Sequence, residues 1–135
     1  MKNILLAYDG SEPAKRALER TAEFANGAAV TVVAGVHVLP AMGRAGSAID
    51  EDEVAQRKQE LNDAAEYLRG KGIEPQTVEA RGVDVGDAIL EEAREADADL
   101  IVVGSSGKNL AERIVLGSVS SKIVHESPCD VLVVR

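Results

Sequence analysis

The chain has 135 residues, 15 Lys and Arg against 23 Asp and Glu, and a net charge of -8. The length fits one domain, 1–135, able to bury a core without disulfide or metal staples, and 45% apolar residues exclude a disordered acidic tail. The acidity excludes nucleic acid as a partner held by counterion release, and three aromatics, Tyr8, Phe24 and Tyr67, cannot form a base-stacking platform.

In chain order, Ile4 to Tyr8 is a continuous apolar run, as expected of a strand covered on both faces. Asp9-Gly10-Ser11 is a turn; Ser11 caps a helix, Pro13 suits its first turn, and Ala14, Ala17, Leu18, Ala22 and Ala25 follow helical spacing up to Asn26-Gly27. Val30 to Val38 reads as a second strand and Leu39 to Ile49, rich in Gly, Ala and Pro, as a loop. Val54, Leu61, Ala65 and Leu68 stripe a long helix ended by Gly70-Lys71-Gly72. A weaker strand, Pro75 to Ala80, precedes a third helix marked by Ala88, Ile89, Ala93 and Ala96. Leu100 to Val103 is a fourth strand, Leu110, Ile114, Val119 and Ile123 stripe a fourth helix, and Val131 to Val134 forms a last strand.

Five strands alternating with four helices predict an α/β fold with a parallel, doubly wound sheet. In such sheets ligands bind beyond the carboxyl ends of the strands, where the strand order reverses. The starting apolar run is too short for a signal peptide, no stretch reaches the ~20 apolar residues of a membrane span, and the single Cys129 cannot form an internal disulfide. A cytoplasmic protein without membrane contact is expected.

One motif stands out after the fourth strand. Gly104-Ser105-Ser106-Gly107 is followed by nine residues, Lys108 to Leu116, and then Gly117-Ser118. Glycines let a backbone approach an anion, successive N–H groups form a nest, the Ser118 hydroxyl donates, and a helix start adds its positive end. A Walker loop is excluded, because Val102 stands at its first Gly and Asn109 at its Ser or Thr.

The chain resembles the universal stress proteins over essentially its whole length. The resemblance is carried by Ile4 to Glu12, Val36-His37-Val38, the glycine motif, and Ser127-Pro128-Cys129-Asp130 running into Val131 to Val134. It implies strand order 3-2-1-4-5 with the switch point between strands one and four. It also implies the ATP-binding branch of the family. ATP is then held by the Gly104 and Gly107 loop, with Gly117 and Ser118 at the phosphates, adenine near Val38, and Asp9 near the ribose or a Mg²⁺ ion. The expected nucleotide site comprises Ala7, Tyr8 and Asp9, then Val38, then Val103, Gly104, Ser105 and Gly107, and finally Gly117, Ser118, Val119 and Ser120.

Asp9 has two readings, a ribose or Mg²⁺ ligand and an Asx-turn that shapes the chain before the first helix. Val38 is either a core residue or an adenine wall. His37 reads as an ordinary strand residue and His125 as a helix-end residue, and two separated histidines with one cysteine have no zinc spacing. Cys129 reads as a small packing residue, and no Gly-x-Ser-x-Gly elbow surrounds any serine. The carboxylates of Asp50 to Glu53 and Glu91-Glu92 read as solvated helix faces and starts, and Arg44 as a flexible solvent-exposed loop arginine, with a swing onto the phosphates as its other reading. The segment Asp50 to Glu74 holds eight acids and four bases, and Asp84 to Asp99 seven acids and one base, so the glycine motif itself is not acidic.

The apolar last strand would be an aggregation hazard at a free sheet edge. A homodimer through Val131, Leu132, Val133 and Val134 resolves it, as the resemblance also implies. The expected function is an ATP-binding stress or signalling dimer, with Mg²⁺, with an unidentified protein partner, and with little hydrolysis, since no residue clearly orients a water. A dimeric interaction module that works without nucleotide is the alternative. A metabolic enzyme lacks a recognisable catalytic pair, and a response-regulator receiver needs clustered acids after its first strand and a basic residue in a loop after its last, whereas here the last strand runs to the end of the chain.

Overall fold

A computed structural model describes residues 2–40, 48–105 and 116–135. The elements are β1 (Asn3–Ala7), α1 (Glu12–Phe24), β2 (Ala29–Leu39), β3 (Ala48–Ile49), α2 (Glu51–Gly70), β4 (Gln76–Gly82), α3 (Val85–Glu95), β5 (Leu100–Gly104), α4 (Ser118–Glu126) and β6 (Asp130–Val134). The parallel strands lie in the order β4-β2-β1-β5-β6, with Ile4 opposite both Val30 and Leu100. Counted as parallel strands this is the expected order 3-2-1-4-5.

β1 shows why the run Ile4 to Tyr8 is apolar throughout. Successive side chains point to opposite faces. Ile4, Leu6 and Tyr8 pack with Ala17 and Leu18 of α1 and Leu61 and Leu68 of α2. Leu5 and Ala7 pack with Ile89, Leu90 and Ala93 of α3 and Ile123 of α4. Leu5 and Leu6 are fully buried, each contributing roughly 1.5–3 kcal/mol of transfer free energy.

Local chemistry sets the helix ends. Ser11 Oγ accepts from the Ala14 N–H at 3.3 Å, and Asp50 Oδ1 accepts from the Asp52 N–H at 2.9 Å. α2 stops at Gly72, whose φ of 82° lets the Ile73 N–H reach the Leu68 carbonyl at 2.9 Å, a Schellman closure. The segment read as a loop from Leu39 to Ile49 ends in a short strand instead. Ala48–Ile49 pairs antiparallel with Val38 and Leu39 just before the Asp50 cap. Two residues carry no periodicity, so composition hid this strand. The fourth helix is described from Ser118; Leu110 and Ile114 lie outside the described residues.

Among the described strands the two sheet edges differ. β4 presents Gln76, Thr77, Glu79 and Arg81, with Glu79 and Arg81 paired at 2.8 Å. β6 presents half-buried Val131, Leu132 and Val133. No helix among the described residues is long and apolar enough to cross a membrane.

Candidate nucleotide site

β1 stops at Ala7 while β2 continues to Leu39. Tyr8 makes the last contact between them, donating its N–H to the Val33 carbonyl at 2.9 Å. The chain then turns through Asp9-Gly10-Ser11, with Gly10 at φ 76° and Asp9 Oδ1 accepting from the Ser11 N–H at 2.9 Å. This early exit of β1 opens a cavity of about 360 Å³ over the carboxyl ends of β1, β2 and β5, within the size range of small-molecule sites.

Ten expected residues line this cavity. Ala7, Tyr8 and Asp9 form its floor, Val103, Gly104 and Ser105 one wall, and Gly117 to Ser120 the start of α4. Val38 is not on the wall; it is half-buried and paired with Ile49. Gly35, three residues earlier on β2, lines the cavity instead. Gly107 and Arg44 lie outside the described residues.

The glycines do different work. A Cβ on Gly104 would stand 2.7 Å from Pro13 C and 2.8 Å from Ala14 N, so this glycine lets β5 meet the first turn of α1. A Cβ on Gly117 would meet no described atom within 4 Å, and its φ of -69° suits any residue. Neither backbone strain nor described packing requires glycine there. Gly117 is the N-cap of α4 and supplies no side-chain cap, and the first turn it opens lines the cavity.

Serines divide likewise. Ser120 is buried, and its hydroxyl donates to the Gly104 carbonyl at 2.9 Å, tying α4 to the end of β5. The Ser105 N–H donates to the Val134 carbonyl at 2.7 Å. Ser118 is exposed at the helix start and lines the cavity. Asp9 satisfies the Asx-turn reading through one oxygen and still lines the cavity, so its two readings are compatible. Burial, with Asp63 and Glu60 nearby, pushes the Tyr8 phenol up, and it stays neutral at physiological pH.

α2 and α3 contribute residues that sequence reasoning missed. Glu53 and Arg57 line the side under α2, and Val85 and Ile89 the side under α3, with Ser11 and Ala14 at the start of α1. The sequence alone makes Glu53 part of a solvated helix start. It is half-buried, and its Oε1 accepts from the His37 N–H at 2.8 Å. Gly35 did leave a signal, because glycine inside a strand marks a close approach; here Val85 occupies the space its Cβ would need. Arg57 left none, being one charge among many on α2. It is the one cationic side chain among the described lining residues.

The arrangement suits an anion at α4 held by backbone donors, with a carboxylate nearby on β1. Among the described residues no three His, Cys, Asp or Glu side chains converge on a metal position. Asp9 alone fits the one-carboxylate mode in which Mg²⁺ keeps its waters and takes phosphate oxygens.

Comparison with known proteins identifies the family. The model of the universal stress protein family matches residues 1–135. A relative from Staphylococcus saprophyticus, named as a universal stress protein, is 36% identical over 145 residues, covering 99% of this chain and 83% of its own. The universal stress protein UspA of Lactobacillus plantarum superposes with a TM-score of 0.81 at 26% identity, covering 99% of this chain and 97% of its own. A universal stress protein from Archaeoglobus fulgidus, solved in complex with dAMP, gives 0.77 at 27% identity over 100% and 98% of the two chains. Another universal stress protein, solved in complex with cAMP, gives 0.75 at 27% identity over 99% and 97%. With the family matched from end to end and its fold reproduced strand for strand, the chain belongs to the universal stress protein family.

Proposed function

We propose that the chain binds an adenine nucleotide, ATP with Mg²⁺, in the cavity over β1 and β5, and that occupancy sets the state of a cytoplasmic homodimer acting in stress response or signalling. The observation that carries this reading is the start of α4. Among the described residues nothing stands where a Gly117 side chain would, beside a first turn with no side-chain cap, in the same cavity as Asp9. That is the form of a phosphate cradle. Relatives solved with dAMP and cAMP support a nucleotide as the ligand.

In this reading the first turn of α4 and the Ser118 hydroxyl hold phosphate oxygens, and Asp9 faces the ribose or Mg²⁺. The metal would neutralise phosphate charge that the protein leaves to backbone dipoles. Turnover is slow, because phosphoryl transfer needs strong charge stabilisation at the γ-phosphate, and the described lining cation, Arg57, is already paired with Glu60 at 2.6 Å. The dimer joins through β6, whose apolar edge contrasts with the polar edge of β4.

Titration calorimetry with ATP and AMP tests the site. Gly117→Ala adds one methyl at the cradle and should weaken binding at least ~10-fold, about 1.4 kcal/mol. A wild-type protein that binds neither nucleotide overturns the proposal, leaving the nucleotide-independent module. Light scattering should give about twice the chain mass of 14.2 kDa; a single chain mass at micromolar concentration overturns the dimer.

A further inference from the structure

The wall under α2 is built as firmly as the anion end and has the opposite chemistry. Glu53 and Arg57 are one turn apart, so they share a helix face, and both reach the cavity. β5, β1 and β2 are neighbouring strands, which places this wall roughly 10 Å across the sheet from the β5 side. β1 ends opposite Val33 and does not extend to His37. Glu53 Oε1 takes the His37 N–H at 2.8 Å, which fixes the carboxylate. Among the described residues its second oxygen accepts no hydrogen bond.

Arg57 is fixed from its other side. Its Nη2 donates to Glu60 Oε2 at 3.1 Å, and its Nε stands 2.6 Å from Glu60 Oε1. The Nε–Oε1 approach is a charge contact, since both atoms are shielded from solvent without an aligned hydrogen bond. The two side chains are only 20% and 15% exposed. Glu60 is in turn packed against Gly10, where a Cβ would stand 3.0 Å from its Oε2. Arg57, Glu60 and Glu53 together carry one net negative charge, which disfavours phosphate here and favours a neutral polar ring.

We propose that Glu53 reads the nucleobase, accepting a hydrogen bond from an exocyclic amino group, while Arg57 donates to N7 beside it, an acceptor in 6-amino- and 6-oxopurines alike. The inference rests on the nucleotide reading above. A carboxylate only accepts and a guanidinium only donates. The pair therefore matches a ring edge with a donor next to an acceptor, which a 6-aminopurine offers. A 6-oxopurine sets its carbonyl oxygen against the Glu53 carboxylate, two acceptors with no proton between them. Leaving such a buried pair unmatched should cost about 10- to 100-fold in affinity.

Calorimetry with AMP and IMP tests this on the full chain. The wild type should prefer AMP by that factor, a result independent of any variant. Glu53→Gln keeps an oxygen for the His37 N–H and turns an amide N–H₂ toward the base, so the preference should collapse to within ~threefold or reverse toward IMP. Gly117→Ala, at the phosphate end, should weaken both nucleotides and leave their ratio unchanged. A merely structural role for Glu53 would also leave the ratio unchanged. Equal wild-type affinity for AMP and IMP, or an unaltered ratio in Glu53→Gln, overturns this inference while nucleotide binding stands. A wild type that binds neither overturns both.

Discussion

Replacing Gly104 by alanine separates the tightly packed glycine of the motif from Gly117, which no described atom crowds. The new Cβ would stand 2.7 Å from Pro13 C and 2.8 Å from Ala14 N, against an optimum near ~3.5–4.0 Å. Both neighbours are backbone, in a helix turn held by the Ser11 cap, so no rotamer change relieves the overlap. α1 must move away from β5 by several tenths of an ångström, through a core that includes Ala14, Ala17 and Leu18. Overpacking of this kind costs ~1–3 kcal/mol, partly offset by ~0.4–1 kcal/mol from the stiffer unfolded chain. A net loss of about 2 kcal/mol, near the upper part of that range, follows from two backbone clashes rather than one. Specific unfolding entropies for a chain this size convert that to a Tm lower by ~7 °C. Urea denaturation should show a lower midpoint with an unchanged slope, and calorimetry the lower Tm. Gly117→Ala, with no described atom within 4 Å of its Cβ, should stay within ~0.5 kcal/mol of wild type in the same assays. Equal stability of Gly104→Ala and wild type would refute the steric argument.

Gly35→Ala should destabilise by ~1–3 kcal/mol, because its Cβ overlaps Val85 Cγ1. That obstacle is a side chain, so Val85→Ala in the same chain should recover at least ~1 kcal/mol, and strict additivity in the double-mutant cycle would contradict it. Asp97 ends α3 at φ 50°, with the Ala98 N–H donating to the Ala93 carbonyl at 3.0 Å. Asp97→Gly should therefore raise stability by ~0.5–1 kcal/mol in thermal melts. Asp99 Oδ2 accepts the Asn3 and Lys2 N–H groups, both at 2.7 Å, which holds its carboxyl below the ordinary value of 3.8. A folded-state value below the unfolded one makes the stabilisation complete above the unfolded value and lost as pH falls through the folded one. Asp99→Asn should lower stability at neutral pH and flatten the acid-side dependence of the urea midpoint; an unchanged acid limb would contradict this.

Much of the fold was legible because its signals are local. Ile4 to Tyr8 had to be buried on both faces, and the alternation of such runs with amphipathic helices required a layered parallel sheet. Ser11, Asp50 and Gly72 act where their chemistry predicts, as caps and as a left-handed stop. The described part of the glycine motif lies at the end of the sheet where the cavity opens. The two-residue strand Ala48–Ile49 was not legible, because pairing with Val38 and Leu39 is a property of the partner strand.

The site divides along the same line. Residues on the two loops at the switch point, from Ala7 to Asp9 and from Val103 to Ser105, were accessible to reading because strand ends are where a doubly wound sheet must bind. Val38, at the strand's end, is not among the lining residues; the cavity reaches β2 earlier, at Gly35, since β1 stops at Ala7. Glu53 and Arg57 looked like two more charges on an acidic helix. Only the tertiary structure shows that β2 outruns β1, leaving the His37 N–H for Glu53, and that Glu60 holds Arg57 beside Gly10. A backbone cap or a buried strand is specified by its own few residues. The role of a helix side chain depends on which strand end it meets, and that contact exists only once the sheet has assembled.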